Sequence, residues 1–414
     1  MSKIKNLIAS LLPGIFLIGY NVGTGSVTAM SKAGANFGLE LLWTVFISCL
    51  ITLYLIHLTS RYTMTTGKTL IQGIKDHIHP SVAILLISSC SFIILIALTG
   101  VLGIIADVLE VWSQTLFHSG IPMIIWAVAI ALFVYFLVWI GNYAFFEKVL
   151  ALLVSLMGAA FIATMIINFP ALRELGAGML PSLPETAEGS DNGPLMIVSG
   201  MVGTTVSIFV FIIRSQIVRE RGWKMSDNTI QKRDAIVSAS MMFIISAAIL
   251  ITAATTLHVK GIRMNNVVEM VSLMEPIAGK AAMIVFVIGI AAAGLSSHLP
   301  NLLVIPWLII DYRNDKRDTK TRIHRIILFI LTVLSVLGLV FGFKSVFVLL
   351  LSQTCIAVIL PLTIGSLFYL TSNKALMGNR VNRVHDFAIL SLIMVFSLYM
   401  SSLGIRGLII DISL

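Results

Sequence analysis

Runs of about 20 apolar residues, each closed by a short polar stretch, recur from one end of this chain to the other. That spacing predicts membrane-spanning helices. We place eleven of them: 11–31, 39–58, 82–112, 121–141, 147–169, 194–218, 235–257, 281–311, 324–343, 346–371 and 386–408. Two are interrupted by polar, glycine-rich patches. The first patch, Tyr20-Asn21-Val22-Gly23-Thr24-Gly25-Ser26-Val27, lies in the middle of the first segment; the second, Val202-Gly203-Thr204-Thr205-Val206-Ser207, lies inside the sixth. Glycine weakens a helix interior by about 1 kcal/mol relative to alanine, and in lipid every freed N–H or C=O needs a partner within the protein. Close helix packing through small residues explains one such patch by itself. Two of them, at matching places in two halves of a chain, mark a binding site near the membrane midplane.

The order of the segments adds a topology. Five segments, five more that again begin with a glycine-broken one, and a last extra helix predict an inverted repeat. An odd number of spans in the first unit makes the second enter the membrane the other way up. The expected fold is therefore all-α and integral to the membrane, with broken helices 1 and 6. It forms a single transmembrane domain over 1–414, with repeats at 11–169 and 194–371 and an added helix at 386–408.

Composition agrees, at 58% hydrophobic and 11% charged residues, against about 25% charged in ordinary soluble domains. The net charge of +9 would suggest nucleic acid in a soluble chain, but here the placement of the basic residues explains it. With the N-terminus in the cytoplasm, all of the 28 basic residues except Lys32, Arg173, Lys260, Arg263, Lys280, Lys344 and Arg406 fall on the inner side. This is the positive-inside pattern, and it predicts N-in, C-out insertion in a plasma (inner) membrane. Lys3 and Lys5 before an apolar stretch imitate a secretory signal, yet ten further apolar segments argue for a retained first helix. Cys49, Cys90 and Cys355 sit in separate segments without metal-ligand spacing and read as packing residues. The longest outer connection, about 170–193, is proline-rich and acidic and reads as an irregular loop. No mid-membrane segment carries a nucleophile with a base, or a pair of acids, so an enzyme is not expected and no cofactor is implied.

Several longer strings then resemble a known family. Ala33-Gly34-Ala35-Asn36-Phe37-Gly38 with Leu41-Leu42-Trp43, Glu147-Lys148-Val149, Lys232-Arg233-Asp234-Ala235, and Ala292-Ala293-Gly294-Leu295-Ser296-Ser297 are similar to framework stretches of the Nramp divalent-metal transporters. So is the end of helix 10, with Leu351-Ser352-Gln353, Leu360-Pro361-Leu362 and Leu370-Thr371-Ser372-Asn373-Lys374-Ala375-Leu376-Met377-Gly378. The resemblance runs from about Leu11 to Gly378. It implies a leucine-transporter-type fold and transport of a divalent cation; with no nucleotide-binding loop evident, secondary active transport coupled to H⁺ or Na⁺ is expected in place of ATP. The family's binding motifs are not kept. Its Asp-Pro-Gly-Asn falls on Gly23, Thr24, Gly25 and Ser26, and its Met-Pro-His falls on Ser207, Ile208 and Phe209. A later histidine falls on Arg214, a glutamine on Leu295, and the first of two acidic positions on Ile104, with Asp107 at the second. The glutamine of helix 10 persists as Gln353.

These residues set the candidate site. Gly23, Thr24, Gly25, Ser26, Thr205, Ser207, Phe209 and Gln353 are expected to face the substrate, and Asp107, Arg214 and His298 to relay a proton or ion. A divalent cation stripped of water needs carboxylate, imidazole or sulfur ligands, which this set lacks; a largely hydrated ion does not. The same hydroxyls and helix N-termini suit a small carboxylate or amino-acid-like solute. A non-transporting sensor on the same scaffold is the third reading. Arg214 is open between three roles: partner of Asp107, ligand for substrate carboxylate, or a charge snorkelling to the surface. His298 either lines the cavity or bonds a neighbouring helix.

Overall fold

The apolar segments all become helices. The computed structural model describes residues 23–117, 120–140, 144–185, 193–273, 282–315 and 321–413, and among these the regular structure is entirely helical. In chain order the helices are α1 (Thr24–Phe37), α2 (Leu42–Thr66), α3 (Leu70–His77), α4 (Pro80–Phe117), α5 (Met123–Ile140), α6 (Ala144–Ile167) and α7 (Leu172–Gly178). They continue with α8 (Pro194–Thr205), α9 (Ile208–Glu220), α10 (Asn228–Ala253), α11 (Ala282–Arg313), α12 (Arg322–Val340), α13 (Ser345–Ser372) and, after a short helical turn, α14 (Val384–Ser413). Among the described residues ten helices are long and apolar enough to cross a membrane, with α8 and α9 counting as one span. The first half of segment 11–31, with Tyr20, Asn21 and Val22 of its polar patch, lies outside the described residues; α1 is the second half, extended to Phe37.

Burial sorts the helices into an inner and an outer set. The apolar window of α8–α9 is 100% buried, whereas those of α5 and the later part of α6 are 28% and 24% buried. The outer helices turn large apolar side chains outward, among them Phe133, Phe136, Leu152, Leu156, Phe329 and Leu337. A surface of that kind is stable only against lipid tails. Inside, α13 packs against α4, α8 and α14, while α1 packs against α8 and α10.

Three expectations are corrected. Lys32, placed at the outer surface by the segment boundaries, is inside α1 and buried, because α1 runs a turn and a half beyond residue 31. The outer connection is not irregular throughout. It contains α7 and then folds back on α2, where Trp43 Nε1 donates to the Ser182 carbonyl at 3.1 Å. Finally, α10 begins at Asn228, seven residues before the expected start, and carries Gln231 and Asp234 into the bundle.

The two ends of the bundle are tied differently. At one end Arg263 donates to the carbonyls of Ala35 and Asn36, both at 3.0 Å, and so satisfies the open C-terminus of α1. At the other end, rich in basic residues, the buried Asp311 of α11 gathers three elements. It accepts from Thr69 Oγ1 at 2.9 Å, Gln72 Nε2 at 3.2 Å and Gln216 Nε2 at 3.3 Å, with Arg219 at 3.6 Å. Thr69 and Gln72 also form a reciprocal cap at the start of α3, which fixes that short helix in place. Nearby, Arg61 of α2 pairs with Asp386 of α14 at 3.2 Å.

Candidate functional site

Three helix ends meet around one cavity. α1 begins at Thr24 after an extended Gly23 (φ −96°, ψ −162°). α8 stops at Thr205, and Val206 and Ser207 (φ −81°, ψ 130°) carry the chain out of the helix before α9 begins at Ile208. The carbonyl of Thr205, which the break leaves without an intrahelical donor, accepts from Thr52 Oγ1 of α2 at 2.9 Å. The cavity between these ends is lined by Gly23, Gly25 and Ser26, by Thr204, Ser207 and Phe209, and by Ser297 and Asn301 of α11. Gln353, Leu349 and Ile356 of α13 and Ile94, Ala97 and Val101 of α4 complete the wall. Its volume is about 50 Å³.

Direct bonds join the two polar patches. Ser26 Oγ and Thr204 Oγ1 lie 3.0 Å apart, and the Thr24 N–H donates to Ser297 Oγ at 3.2 Å. Two glycines let α13 come between them. A Cβ on Gly25 would stand 2.6 Å from Gln353 Nε2 and 3.2 Å from its amide carbon, and one on Gly203 would run into the Gln353 carbonyl. Replacing Gly25 by valine is accordingly expected to abolish transport without preventing membrane insertion, since the added branch displaces the Gln353 amide while hydropathy is untouched. Uptake assays on a well-expressed Gly25→Val protein check this; wild-type uptake would reduce the glycine to a packing residue.

Among the described residues the lining offers hydroxyl, amide and backbone groups and no carboxylate, imidazole or sulfur. Among the described residues no three His, Cys, Asp or Glu side chains come together in a way that could hold a metal ion. Two helix N-termini, those of α1 and α9, add partial positive charge at the cavity, and the C-terminus of α8 adds partial negative charge.

The sequence model of the family described as natural resistance-associated macrophage protein-like, Nramp, matches residues 14–405. The chain belongs to the Nramp family. It is 29% identical over 401 residues to the divalent metal cation transporter MntH of Nostoc sp. (strain PCC 7120), covering 91% of this chain and 86% of that one. Among solved structures it resembles the manganese transporter of Eremococcus coleocola, with a TM-score of 0.73 at 19% identity over 99% of this chain and 89% of that one. The fold also extends to the inward-facing form of Mhp1, with a TM-score of 0.63 at 14% identity over 98% and 89% of the two chains.

Within this Nramp fold, six of the expected substrate-facing residues come together: Gly23, Gly25, Ser26, Ser207, Phe209 and Gln353. Thr24 and Thr205 do not line the cavity. Thr24 spends its N–H on α11, and the Thr205 hydroxyl donates to the Met201 carbonyl at 2.9 Å within its own helix. The expected relay does not assemble. Asp107 is on α4, six residues or roughly 9 Å of helix rise beyond the lining residue Val101, next to Ser345 and Glu110. Arg214 is neither its partner, nor a cavity residue, nor a snorkelling charge. It is fully buried and paired with Asp234, with its Nε donating to Ser60 Oγ at 2.8 Å and its guanidinium 5.4 Å from the Trp223 ring. The early start of α10 is the cause, because it brings Asp234 into the bundle at that depth. His298 is buried beside the site without lining it, and neither ring nitrogen has a hydrogen-bond partner among the described residues. Asn301, Ser297 and Thr204 are lining residues that the sequence reading did not place there. The signal for the first was present, since Ser297 and Asn301 are polar positions four apart and so share a helix face.

Proposed function

We propose that this Nramp protein is a secondary active transporter that carries a divalent cation retaining part of its water shell, driven by a proton or Na⁺ gradient. The cavity where α1 begins and α8 gives way to α9 carries this reading. Its neutral oxygen lining suits an ion that keeps several of its own waters, as hard cations such as Mg²⁺ tend to do. A volume of about 50 Å³ admits a small ion and a few waters, where one water needs roughly 10–15 Å³ on this scale. An amino-acid-sized solute is too large for it in this conformation. The family membership and the metal cargo named for the MntH and manganese-transporter relatives point the same way. On this reading the bundle is an eleven-helix, five-plus-five inverted repeat in which α1 is the second half of a broken first helix, over 11–169 and 194–371 with the last helix appended. We take the membrane to be the plasma membrane, with the basic end of the bundle cytoplasmic.

The convergence of two helix N-termini favours a second reading, a carboxylate as small as formate or acetate. Thermal-shift titration of the purified protein separates the two, because a ligand stabilises the state that it binds. Mg²⁺ and Mn²⁺ are expected to raise the melting temperature only at millimolar concentrations, and acetate to leave it unchanged. In proteoliposomes, the cation that stabilises should accumulate when a proton or Na⁺ gradient is imposed. Stabilisation by acetate alone would transfer the assignment to the carboxylate, and binding without accumulation would make the protein a sensor.

A further inference from the structure

A second cavity lies away from the polar centre, on the outer surface where α5 and α12 meet. Tyr135, Trp139, Arg322, Arg325, Ile326 and Phe329 form a cleft of about 480 Å³. Its two halves differ in chemistry. Arg322 and Arg325 stand in the first turn of α12, one above the other at a spacing of three. Arg325 lies over the Trp139 ring, 4.3 Å from its centroid, and neither arginine is within ion-pair distance of a carboxylate among the described residues. Below them Ile326 and Phe329 are more than half exposed, on a helix face that meets lipid. Tyr135 braces the floor, with its ring 5.6 Å from Trp139 and 6.0 Å from Phe329. The N-cap residue Thr321 does not cap the backbone; its hydroxyl is 2.6 Å from His324 Nδ1. Thr321 thus gives α12 no side-chain cap, and the positive end of the helix dipole lies beside the two arginines.

We infer that this cleft binds the headgroup of an anionic glycerophospholipid such as phosphatidylglycerol. The guanidinium groups and the start of α12 receive the phosphate, and an acyl chain runs along Ile326 and Phe329. Guanidinium is suited to phosphate because its N–H groups match two oxygens at once. Aromatic residues at the level of the headgroups and arginines at the basic end of the bundle place the cleft at the membrane–water boundary. A choline headgroup has no equivalent place here, because the Trp139 face that would receive a quaternary ammonium is already covered by Arg325. The cleft joins two helices of the outer set, so a lipid held there would staple α12 to α5.

Native mass spectrometry of the detergent-purified protein tests this with phosphatidylglycerol and phosphatidylcholine as probes. The wild type is expected to retain one phosphatidylglycerol at least tenfold more strongly than phosphatidylcholine. Arg322→Gln with Arg325→Gln should abolish that preference, and lysine at both positions should keep part of it. Equal retention by wild type and the glutamine variant, or equal affinity for the two lipids, would overturn the proposal. Displacement of the lipid by millimolar inorganic phosphate would also overturn it, by assigning the arginines to a soluble anion. A second measurement needs no charge change. In phosphatidylcholine vesicles doped with brominated phosphatidylglycerol, wild-type fluorescence should be quenched more than that of Trp139→Phe, and brominated phosphatidylcholine at the same level should quench the two alike. Identical quenching of both proteins by the brominated anionic lipid would count against the site.

Discussion

Replacing Asp234 by leucine is expected to destabilise the protein by about 3–5 kcal/mol, the usual cost of leaving one member of a buried ion pair without its partner. Arg214 has no route to water from its fully buried position, and its remaining contacts, the Ser60 hydroxyl and the Trp223 ring, do not neutralise it. Arg214→Leu should cost a similar amount for the reciprocal reason. The double leucine variant should cost far less than the sum, since two apolar side chains of comparable bulk need no compensation at that depth. Equilibrium unfolding in detergent, run as a double-mutant cycle, measures the coupling. Asp107→Asn serves as the control: its effect should add to that of Arg214→Leu within about 0.3–0.5 kcal/mol, as for residues without shared partners. Strong coupling of Arg214 to Asp107 in place of Asp234 would contradict the observed geometry.

The second large effect is a gain of affinity. Gly23→Asp together with Ser207→Cys is expected to tighten Cd²⁺ and Mn²⁺ binding by more than about 100-fold, because even outer-shell changes at metal sites are worth about 10–100-fold and these add ligands directly. Both positions line the cavity. Both have extended backbone that any L-residue adopts, with Gly23 at φ −96° and Ser207 at φ −81°, so the new side chains bring no backbone strain. A carboxylate supplies the charge that the present lining lacks, and a thiolate supplies the softness that Cd²⁺ prefers. Calorimetry on the wild type and the double variant decides it. Micromolar Mn²⁺ affinity in the wild type, or no gain in the variant, would show that the metal is held elsewhere.

The fold was largely legible because hydropathy measures what the bilayer selects. Segment 121–141 becomes Met123–Ile140 and segment 346–371 becomes Ser345–Ser372 with no more information than apolar length. Hydropathy is blind to a helix that opens on polar residues, so Asn228–Asp234 falls ahead of segment 235–257, and nothing in the sequence marks Asp234 as a buried partner of Arg214. It is equally blind to α3, eight residues long, although Thr69 and Gln72 stand at the capping-box spacing. For the site, the interruption at Val206-Ser207 was visible because glycines and hydroxyl residues are conspicuous in an apolar run. Which way each side chain turns was not visible. Thr24 and Thr205 sit in the right stretch without lining the cavity: the Thr24 N–H goes to Ser297 of α11, 273 positions away, and the Thr205 hydroxyl turns back to the Met201 carbonyl of its own helix.

The cluster around Asp311 has a bearing on how often the protein changes shape. A hydrogen bond to a charged group is worth about 1.5–3 kcal/mol, and Thr69, Gln72 and Gln216 all spend one on this carboxylate. Parting α3 from α11 forfeits the bonds of Thr69 and Gln72, and parting α9 from α11 forfeits that of Gln216. Since every 1.4 kcal/mol is a factor of ten in population, each such bond lowers the share of an arrangement that lacks it by roughly a factor of ten or more. A cargo that binds both arrangements equally well leaves that ratio where it was, however tightly it binds. The cargo can drive the cycle only to the extent that it prefers the unfastened form, so the turnover of this protein is governed by the difference between two affinities and not by the size of either.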